Sequence, residues 1–326
     1  MNNQTRWKWL DAVKGTGILL VMISHICALP PYLGNGCIPL FFIIAGYTAH
    51  QQDFKTLVSQ KAKRLLIPYL FYGLIFLFLF SLLAHKFDLA GFTGLFYSRY
   101  SLYPLNEQDN VFLLKQNSPL WFASAMFITY LEWYIYCRIA KNTLQNINII
   151  VLCFVLSIIL YHIPILLPWS MDISFFFLIC MIYGKYVNNY SINLFNKKYS
   201  ICYAGIAVLY LMLSHYNGGS NLSVKEYGNL GALSIFMDSF IALGEALLLG
   251  WMFQLIGENS IITRTFAFIG KHSLRLMCIH LPIFFIANGI FSSANEYLLV
   301  IGKLTAAIVA SIIIAYFTCK LHLKYL

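Results

Sequence analysis

Two ionisable residues, Lys14 and His25, stand at the two ends of the apolar segment "KGTGILLVMISH" in this chain of 326 residues. Ionisable side chains are costly inside the hydrocarbon of a membrane, and they usually mark a functional site there. On an α-helix, eleven steps of 100° add up to three turns and about 20°, so both side chains lie on one helix face, about 16 Å apart along the axis. This face predicts a polar path between a cation and an imidazole.

The neighbouring residues indicate what this face could do. An imidazole has an ordinary pKa that suits proton transfer near neutrality, which makes His25 a candidate general base. Asp11 lies three residues before Lys14, a spacing that allows an ion pair, and Gly15 and Gly17 allow a helix or a ligand to approach the backbone closely. The alternatives are structural. Asp11 and Lys14 could form an interfacial pair that reaches the lipid headgroups, and His25 could bond to a neighbouring helix.

The elements that position these residues are predicted to be membrane-spanning helices. The sequence is 60% hydrophobic, 17% aromatic and only 10% charged, with a mean hydropathy of +0.72. These values exclude a water-soluble globule, and the apolar runs have the length of helices rather than of barrel strands. We expect an all-α, multi-pass membrane protein that forms one transmembrane domain over residues 1–326. Its ten predicted spans are 10–30, 36–50, 65–84, 119–137, 147–163, 171–187, 200–215, 230–256, 273–290 and 297–319.

The distribution of basic residues predicts the orientation of these spans. One side holds most of the Lys and Arg: Arg6, Lys8, Lys55, Lys61, Lys63, Arg64, Arg138, Lys141, Lys185, Lys197, Lys198, Arg264, Lys271, Lys320 and Lys324. The other side holds only Lys86, Arg99, Lys115 and Lys225. Because the basic side is normally cytoplasmic, both termini are predicted to be cytoplasmic, in the inner or plasma membrane. The net charge of +10 is then largely a topology signal, and it gives no evidence for nucleic acid as a partner.

Several other polar residues inside the predicted spans are weaker candidates for a supporting role. They are Trp121 and Glu132 in the fourth span, Asp172 in the sixth, Asp238 and Glu245 in the eighth, and His280 in the ninth. Acidic groups inside a helical bundle normally pair or line water, so a structural role is at least as well supported for them as substrate contact. Trp121 could stack on a sugar ring or mark the membrane interface. The eight cysteines show no C-x-x-C pair, which predicts buried free thiols and no metal site.

A set of segments in order along the chain resembles acyltransferase family 3, the membrane-bound acyltransferases, and in particular their sugar O-acetylase-like branch. The segments are "LDAVKGTGILLVMISH", "PLFFIIAGYTAH", "KAKRLLIPYL", "SPLWFASAMFITYLEW", "LPWSMDISFFFLICMIYGKY" and "IGKHSLRLMCIHLPIF". They cover nearly the whole chain, and the ordered set is much more specific than any single segment. The chain departs from the common pattern at Lys14, where many members have arginine, and at Ala45, where serine is usual.

The resemblance implies transfer of an acyl group, most often acetyl, from cytoplasmic acyl-CoA to a hydroxyl of a carbohydrate or lipid-linked sugar. No cofactor would be bound, and acetyl-CoA would be a cosubstrate. His25 would be the catalytic residue, as a general base or as a transient carrier of the acyl group. Lys14, Lys61 and Arg64 would bind the phosphates of CoA. Without the resemblance, Lys61 and Arg64 are better explained as ordinary cytoplasmic charges. With it, phosphate binding is favoured at Arg64, and both interpretations of Lys61 stay open.

Two other function classes fit parts of the sequence. A secondary transporter or flippase for a sugar or acyl-linked compound also has many helices with internal acids and histidines. A membrane scaffold without catalytic activity would explain the hydrophobicity, but it would leave Lys14 and His25 without a role. The absence of repeated halves and the single polar face from Lys14 to His25 favour the acyltransferase over both alternatives.

Overall fold

The computed structural model describes residues 7–104, 111–115, 117–291 and 296–320. It is 79% helical, and the described residues contain no strand, so the prediction of an all-α fold is confirmed. We number the α-helices in chain order. The helices are α1 Lys8–Ser24, α2 Pro31–Gly34, α3 Pro39–Thr48, α4 Phe54–Lys61, α5 Ile67–Leu83, α6 Leu89–Tyr97, α7 Trp121–Ile139, α8 Thr143–Tyr161, α9 Ser174–Leu194, α10 Ser200–Asn217, α11 Ser234–Ile256, α12 Ile261–Lys271, α13 Ser273–Phe291 and α14 Glu296–Lys320.

Within these described ranges, six helical segments are long and apolar enough to cross a membrane. They are Phe54–Leu83, Thr143–Tyr161, Pro168–Tyr190, Lys197–Asn217, Gly231–Ile256 and Tyr297–Thr318. Helices α12 and α13 together would make a seventh, broken by a bend of 73°. Each of the ten predicted spans contains a helix, but α1 has 17 residues with three charges and α3 has only ten residues. Ten spans and two cytoplasmic termini therefore stay predictions.

The contacts divide the chain into two compact units. Unit 1 takes in the described residues of Met1–Ala49, Cys180–Gly219 and Met237–Leu274, and unit 2 takes in those of His50–Ile179, Ser220–Phe236 and Arg275–Leu326. In unit 1, side chains from α1, α3, α11 and α12 form one apolar cluster. Its buried members are Trp9, Leu10, Ala12, Val13, Leu40, Ile44, Tyr47, Phe253 and Ala267.

Glycines hold the helices of unit 1 in backbone contact. A Cβ at Gly270 of α12 would overlap the carbonyl oxygen of Asp11 in α1, and a Cβ at Gly15 would overlap the carbonyl oxygen of Phe266. Helices α3 and α9 meet in the same way through Gly46 and Gly184. Small residues allow this close approach, which is a common way for helices to associate in membranes. The position of α1 is therefore set by its backbone.

In unit 2, a proline explains the irregular start of α5. Residues Ala62–Leu66 form a π-helical turn, in which the N–H of Ile67 bonds to the carbonyl of Ala62. Pro68 has no N–H and its ring crowds the carbonyl four residues earlier, that of Arg64, so a regular helix cannot continue through this point. The wider turn absorbs the conflict, and it holds Lys63 and Arg64.

A second proline in unit 2 is compensated by a side chain. Pro282 lies inside α13, and it cannot donate to the carbonyl of Cys278 four residues earlier. The amide of Asn117 donates to that carbonyl instead, over 2.9 Å. This bond supplies the partner that a buried carbonyl requires in an apolar environment.

The contact between α1 and α12 can be tested with two alanine substitutions. We expect Gly270→Ala to lower the melting temperature of the purified protein in detergent and to destabilise it by about 1–3 kcal/mol, because two backbones must move apart. Gly205→Ala in α10 is the matched control, since nothing lies within 4 Å of a Cβ there. That substitution should be neutral, or stabilising by up to about 1 kcal/mol. Equal melting temperatures for the two variants would contradict the close packing.

Candidate active site

The N-terminal end of α1 carries the ion pair that the sequence predicts. Lys14 Nζ lies 3.5 Å from Asp11 Oδ1, and the side chain of Lys14 is 29% exposed, whereas that of Asp11 is 5% exposed. The carboxylate is therefore enclosed by protein, and the ammonium group stays partly open. A cation in this position is held by its partner and can still bind an anion at its open side.

His25 is the residue immediately after α1. The helix ends at Ser24, and the backbone N–H of His25 still bonds to the carbonyls of Met22 and Ile23. Pro30 and Pro31 follow, and they cannot continue a regular helix, so α1 is shorter than the predicted span of residues 10–30. His25 as a whole residue is exposed, so it stands at the end of a helix with part of its surface open.

The predicted phosphate-binding cations at the start of α5 differ in their surroundings. Lys61 Nζ lies 3.6 Å from the centre of the Tyr130 ring, a cation–π contact of about 0.5–1 kcal/mol at an exposed position. Arg64 is exposed and lies in the π-helical turn, a type of helical irregularity that is frequent at functional sites. Arg64 is therefore the more available of the two cations.

Two of the supporting candidates, Trp121 and Glu132, make contacts inside unit 2. Trp121 is 5% exposed, and its indole stacks on Phe177 with ring centres 6.2 Å apart. Glu132 accepts a hydrogen bond from the hydroxyl of Ser174. This environment favours a packing role for Trp121 over the sugar contact that its position in the sequence suggested.

His280 is fully buried in α13. Its Nδ1 lies 2.8 Å from the carbonyl oxygen of Leu276, one turn earlier in the same helix, and its ring meets Phe284 edge to face. The imidazole is thus oriented by its own helix. It is less accessible than His25, which agrees with its lower rank in the sequence analysis.

Asp172, the fourth supporting candidate, belongs to a buried ionic group that the sequence analysis did not find. Arg99 Nη2 donates to Asp172 Oδ2 over 2.7 Å, and Arg99 Nη1 donates to the hydroxyl of Ser170 over 3.0 Å. Lys225 Nζ lies 4.0 Å from the same carboxylate oxygen and donates to the carbonyls of Leu160 and Ile163. We call Arg99, Ser170, Asp172 and Lys225 the Arg99 cluster.

The Arg99 cluster joins three loop segments of unit 2 and contains two cations and one carboxylate. The side chains of Arg99 and Asp172 are 0% exposed, and that of Lys225 is 2% exposed. Burial lowers the pKa of Lys225, and the nearby Asp172 carboxylate opposes this shift. Burial also lowers the pKa of Arg99, again opposed first by Asp172. The Asp172 carboxylate therefore offsets the electrostatic cost of burying two cations.

The backbone around the Arg99 cluster is unusual. Ser98, Trp169, Ser170 and Lys225 all have positive φ, between 56° and 63°. This region is sparsely populated by residues with a side chain, and it is retained only where the surrounding structure holds it in place. The indole N–H of Trp169 donates to the carbonyl of Phe96 over 2.8 Å, which ties the segment "WSMD" to the segment that carries Arg99.

The sequence signals for this cluster were present but separate. Asp172 lies in "LPWSMDISFFFLICMIYGKY", one of the segments that carry the family resemblance, whereas the sequence marks Arg99 and Lys225 only as charges on the predicted external side. The two cations lie far from Asp172 in the sequence, so only the folded chain shows that they meet. Within the described residues, no group of three His, Cys, Asp or Glu side chains could hold a metal ion, and the described cysteines carry no disulfide.

The Arg99 cluster predicts a large loss of stability when its carboxylate is removed. We expect Asp172→Asn to destabilise the protein by about 3–5 kcal/mol, because two buried cations lose their counter-charge. The measurement is the melting temperature in detergent. Lys86→Met, which removes an exposed cation from the loop after α5, is the control and should change little. The double variant Arg99→Met, Asp172→Leu should lose less than the sum of its single substitutions, and additive losses would contradict the pairing.

Comparison with known proteins identifies the family. No curated protein and no solved structure shows significant similarity to the chain. The family model of acyltransferase family 3, described as an acyltransferase domain, matches residues 7–320, which include both ends of α1, the π-helical turn and the Arg99 cluster. With its apolar helices, the protein is membrane-embedded. The chain therefore belongs to acyltransferase family 3, and this membership supports acyl transfer as its activity.

Proposed function

We propose that this protein is a membrane O-acyltransferase that moves an acetyl group, or another acyl group, from cytoplasmic acyl-CoA to a hydroxyl of a cell-envelope carbohydrate or glycolipid. The observation that carries the proposal is α1 of this family member. It has a partly open, ion-paired lysine near its start and an exposed histidine at its end. The excess of Lys and Arg around the N-terminal end of α1 supports a cytoplasmic position for that end, in the inner or plasma membrane.

The simplest reaction uses His25 as a general base. Its imidazole accepts the proton of the acceptor hydroxyl while the hydroxyl oxygen attacks the thioester carbonyl. The C–S bond of the resulting tetrahedral intermediate then breaks. The CoA sulfur leaves as a thiolate and takes the proton from the imidazolium. The products are an ester on the sugar and free CoA, and His25 returns to its starting form.

A covalent route uses the same residue as a nucleophile. An imidazole nitrogen attacks the thioester carbonyl, CoA leaves as its thiol, and the acyl group is held on the histidine. The acceptor hydroxyl then attacks this acyl-imidazole, which releases the sugar ester and restores the imidazole. This route would allow donor and acceptor to bind in turn, which suits substrates that approach from two sides of a membrane.

The cations at the predicted cytoplasmic side would hold the donor. CoA carries several phosphate charges, and guanidinium and ammonium groups form strong charge-assisted hydrogen bonds to phosphate oxygens. Arg64 is the most exposed of the three candidates, Lys14 lies nearest to His25 along α1, and Lys61 contributes from its place over the Tyr130 ring. The acceptor would approach the open end of α1 that carries His25.

The catalytic role of His25 is tested by comparing the activities of two variants, His25→Ala and His162→Ala. Membrane vesicles with the cytoplasmic face outward receive radiolabelled acetyl-CoA and cell-envelope glycolipid, and label in carbohydrate is measured. We expect His25→Ala to lower transfer by about 10²–10⁴-fold, the usual contribution of a general acid–base residue. His162→Ala is the control at matched expression, because His162 is also an exposed residue directly after a helix, and it should transfer normally.

Each outcome of this test decides one part of the proposal. Undiminished transfer by His25→Ala would keep the activity and exclude His25 as the base. A lack of transfer by the wild type from acetyl-CoA and from longer acyl-CoAs would contradict acyl transfer itself. The transport alternative would then be measured as uptake of the labelled sugar.

The covalent and direct routes differ when no acceptor is present. If the acyl group is carried on His25, we expect the radiolabelled acetyl group of acetyl-CoA to stay bound to the purified protein. Free CoA should then be released in an amount equal, mole for mole, to the protein. The label should be absent from His25→Ala and present in His162→Ala. Release of CoA only after addition of the acceptor, with no label on the protein, would support direct transfer.

A further inference from the structure

A cavity of about 440 Å³ lies beside the N-terminal end of α1 in unit 1. Its aromatic walls are Trp7, Trp9, Tyr47 and Phe195. Its polar walls are Asn196, Gln254 and Glu258. Cavities of roughly 300–1,000 Å³ with aromatic walls and a few polar groups are typical binding sites for small molecules. The cavity belongs neither to the Arg99 cluster nor to the cations at the start of α5.

The aromatic walls consist of a group of packed rings and one exposed ring. Trp9 and Tyr47 are each 5% exposed, and their rings meet edge to face at 5.5 Å. Phe195 packs against Trp9 at 5.3 Å. Trp7 meets Tyr47 edge to face at 5.7 Å but remains 42% exposed. The indole of Trp7 is therefore held against Tyr47 and keeps an exposed surface on which a planar ligand can stack.

The polar walls match the edge of a purine with an amino group. The amide of Gln254 can donate and accept, a pattern that pairs well with the adjacent amino group and ring nitrogen of adenine. Asn196 Oδ1 accepts the backbone N–H of Lys198 over 3.0 Å, and the NH₂ group of Asn196 can donate to a ring nitrogen. The Glu258 carboxylate only accepts, so it fits the amino group and disfavours a phosphate at this end of the cavity. A planar base with donor and acceptor groups on its edge thus satisfies both kinds of wall.

Basic residues lie next to the cavity in the chain. Lys8 follows Trp7, and its Nζ donates to Asn259 over 3.3 Å. Lys197 and Lys198 follow Asn196, and both are exposed. These lysines are chain neighbours of two wall residues, so their long side chains are in a position to meet phosphates attached to a base in the cavity. The charge pattern therefore fits a nucleotide better than an uncharged aromatic ligand.

The register of α1 connects this cavity to His25. Seven residues separate Trp7 from Lys14, which is about two turns, and eighteen separate Trp7 from His25, which is about five turns. All three positions therefore fall on one helix face. His25 lies about 27 Å beyond Trp7 along the axis. Between Lys14 and His25 this face carries the side chains of Ile18 and Val21, which are buried, so it leaves no open channel along its surface. A ligand with a base at one end, phosphates in the middle and a long arm has the length to reach from the cavity to the histidine.

We infer that this cavity is the subsite for the adenine of the acyl-CoA donor, with the base stacked on Trp7 and its phosphates at Lys8, Lys14, Lys197 and Lys198. The inference rests on the proposed function, because acyl-CoA has the base, phosphates and long arm that α1 requires. The adenosine 3′,5′-diphosphate half binds at the start of α1. The phosphopantetheine arm then extends from the Lys14 end of α1 toward His25, where the thioester reacts.

The first experiment measures nucleotide binding without any transfer. The purified full chain in detergent is titrated with adenosine 3′,5′-bisphosphate, the nucleotide part of CoA, by calorimetry. We expect Trp7→Ala to weaken the Kd by about tenfold or more, since stacking on an aromatic ring contributes strongly to base binding. Trp7→Phe, which keeps a ring face, should weaken it less. Tyr216→Ala is the matched control, because it removes another exposed aromatic ring of unit 1, and it should bind like the wild type.

The second experiment distinguishes binding of the adenine base from reaction of the thioester. Transfer is measured with acetyl-CoA and with acetyl-phosphopantetheine, which carries the same thioester but no nucleotide. We expect Trp7→Ala to raise the KM for acetyl-CoA and to leave the KM for acetyl-phosphopantetheine unchanged. A variant with a general folding defect would lose activity with both donors, so the contrast between donors identifies the subsite.

The outcomes separate this inference from the proposed function. If the wild type binds the bisphosphate and uses acetyl-CoA, but Trp7→Ala and Gln254→Ala change neither result, the adenine lies elsewhere and only the inference fails. If phosphocholine occupies the Trp7 cavity and the bisphosphate does not, the cavity is an aromatic cage for a quaternary ammonium group, and the inference also fails. If the wild type transfers no acyl group from either donor, the proposed function fails and the inference fails with it.

Discussion

A polar group enclosed in an apolar environment must find its partner within the protein, because no water is available to supply one. This constraint explains several irregular features of unit 2. Pro282 leaves a carbonyl without its helical donor, and Asn117 supplies a replacement. Pro68 prevents a regular turn, and the helix widens into a π turn. Asp172 balances the enclosed charge of Arg99. In each of these three places, a specific contact or a local change in helix type compensates for the irregularity.

The backbone contacts of α1 bear on the proposed function. Gly15 and Gly270 bring α1 and α12 together without intervening side chains, with backbone contacts at Asp11 and Gly15, so the half of α1 that carries Lys14 is held firmly. Lys14 and His25 are attached to the same rigid rod. Their separation is therefore fixed by helix geometry, and it does not depend on the packing of side chains between distant segments. A donor that binds at one end is thereby aligned with the reacting group at the other.

Local rules predicted much of this structure. The apolar runs gave the approximate positions of the long helices, and the spacing of Asp11 and Lys14 gave an ion pair that the structure confirms. These features depend on residues that are close in the sequence. The Arg99 cluster depends on segments that are far apart, and periodicity carries no information about such pairs. The 73° bend between α12 and α13 was also not predicted, because the ninth predicted span begins at residue 273 and α12, which contains Arg264 and Lys271, belongs to no predicted span.

The contacts of the tryptophans also could not be predicted from the sequence. Trp121, Trp169 and Trp7 each lie close to an end of a predicted span, but their contacts differ in the folded chain. Trp121 stacks inside unit 2, Trp169 holds a loop through its N–H, and Trp7 forms the open wall of a cavity. Composition can indicate that an aromatic side chain lies at a membrane interface. Only the arrangement of neighbouring rings decides whether one face remains available to a ligand.

The shortness of α3 has an electrical consequence. Its ten residues span about 15 Å, roughly half of the hydrocarbon thickness of a bilayer, and Pro39–Tyr47 are all buried by protein rather than facing lipid. A segment this short cannot insulate the full hydrocarbon thickness alone, so the rest of that thickness beside α3 has to be filled by other segments of the protein.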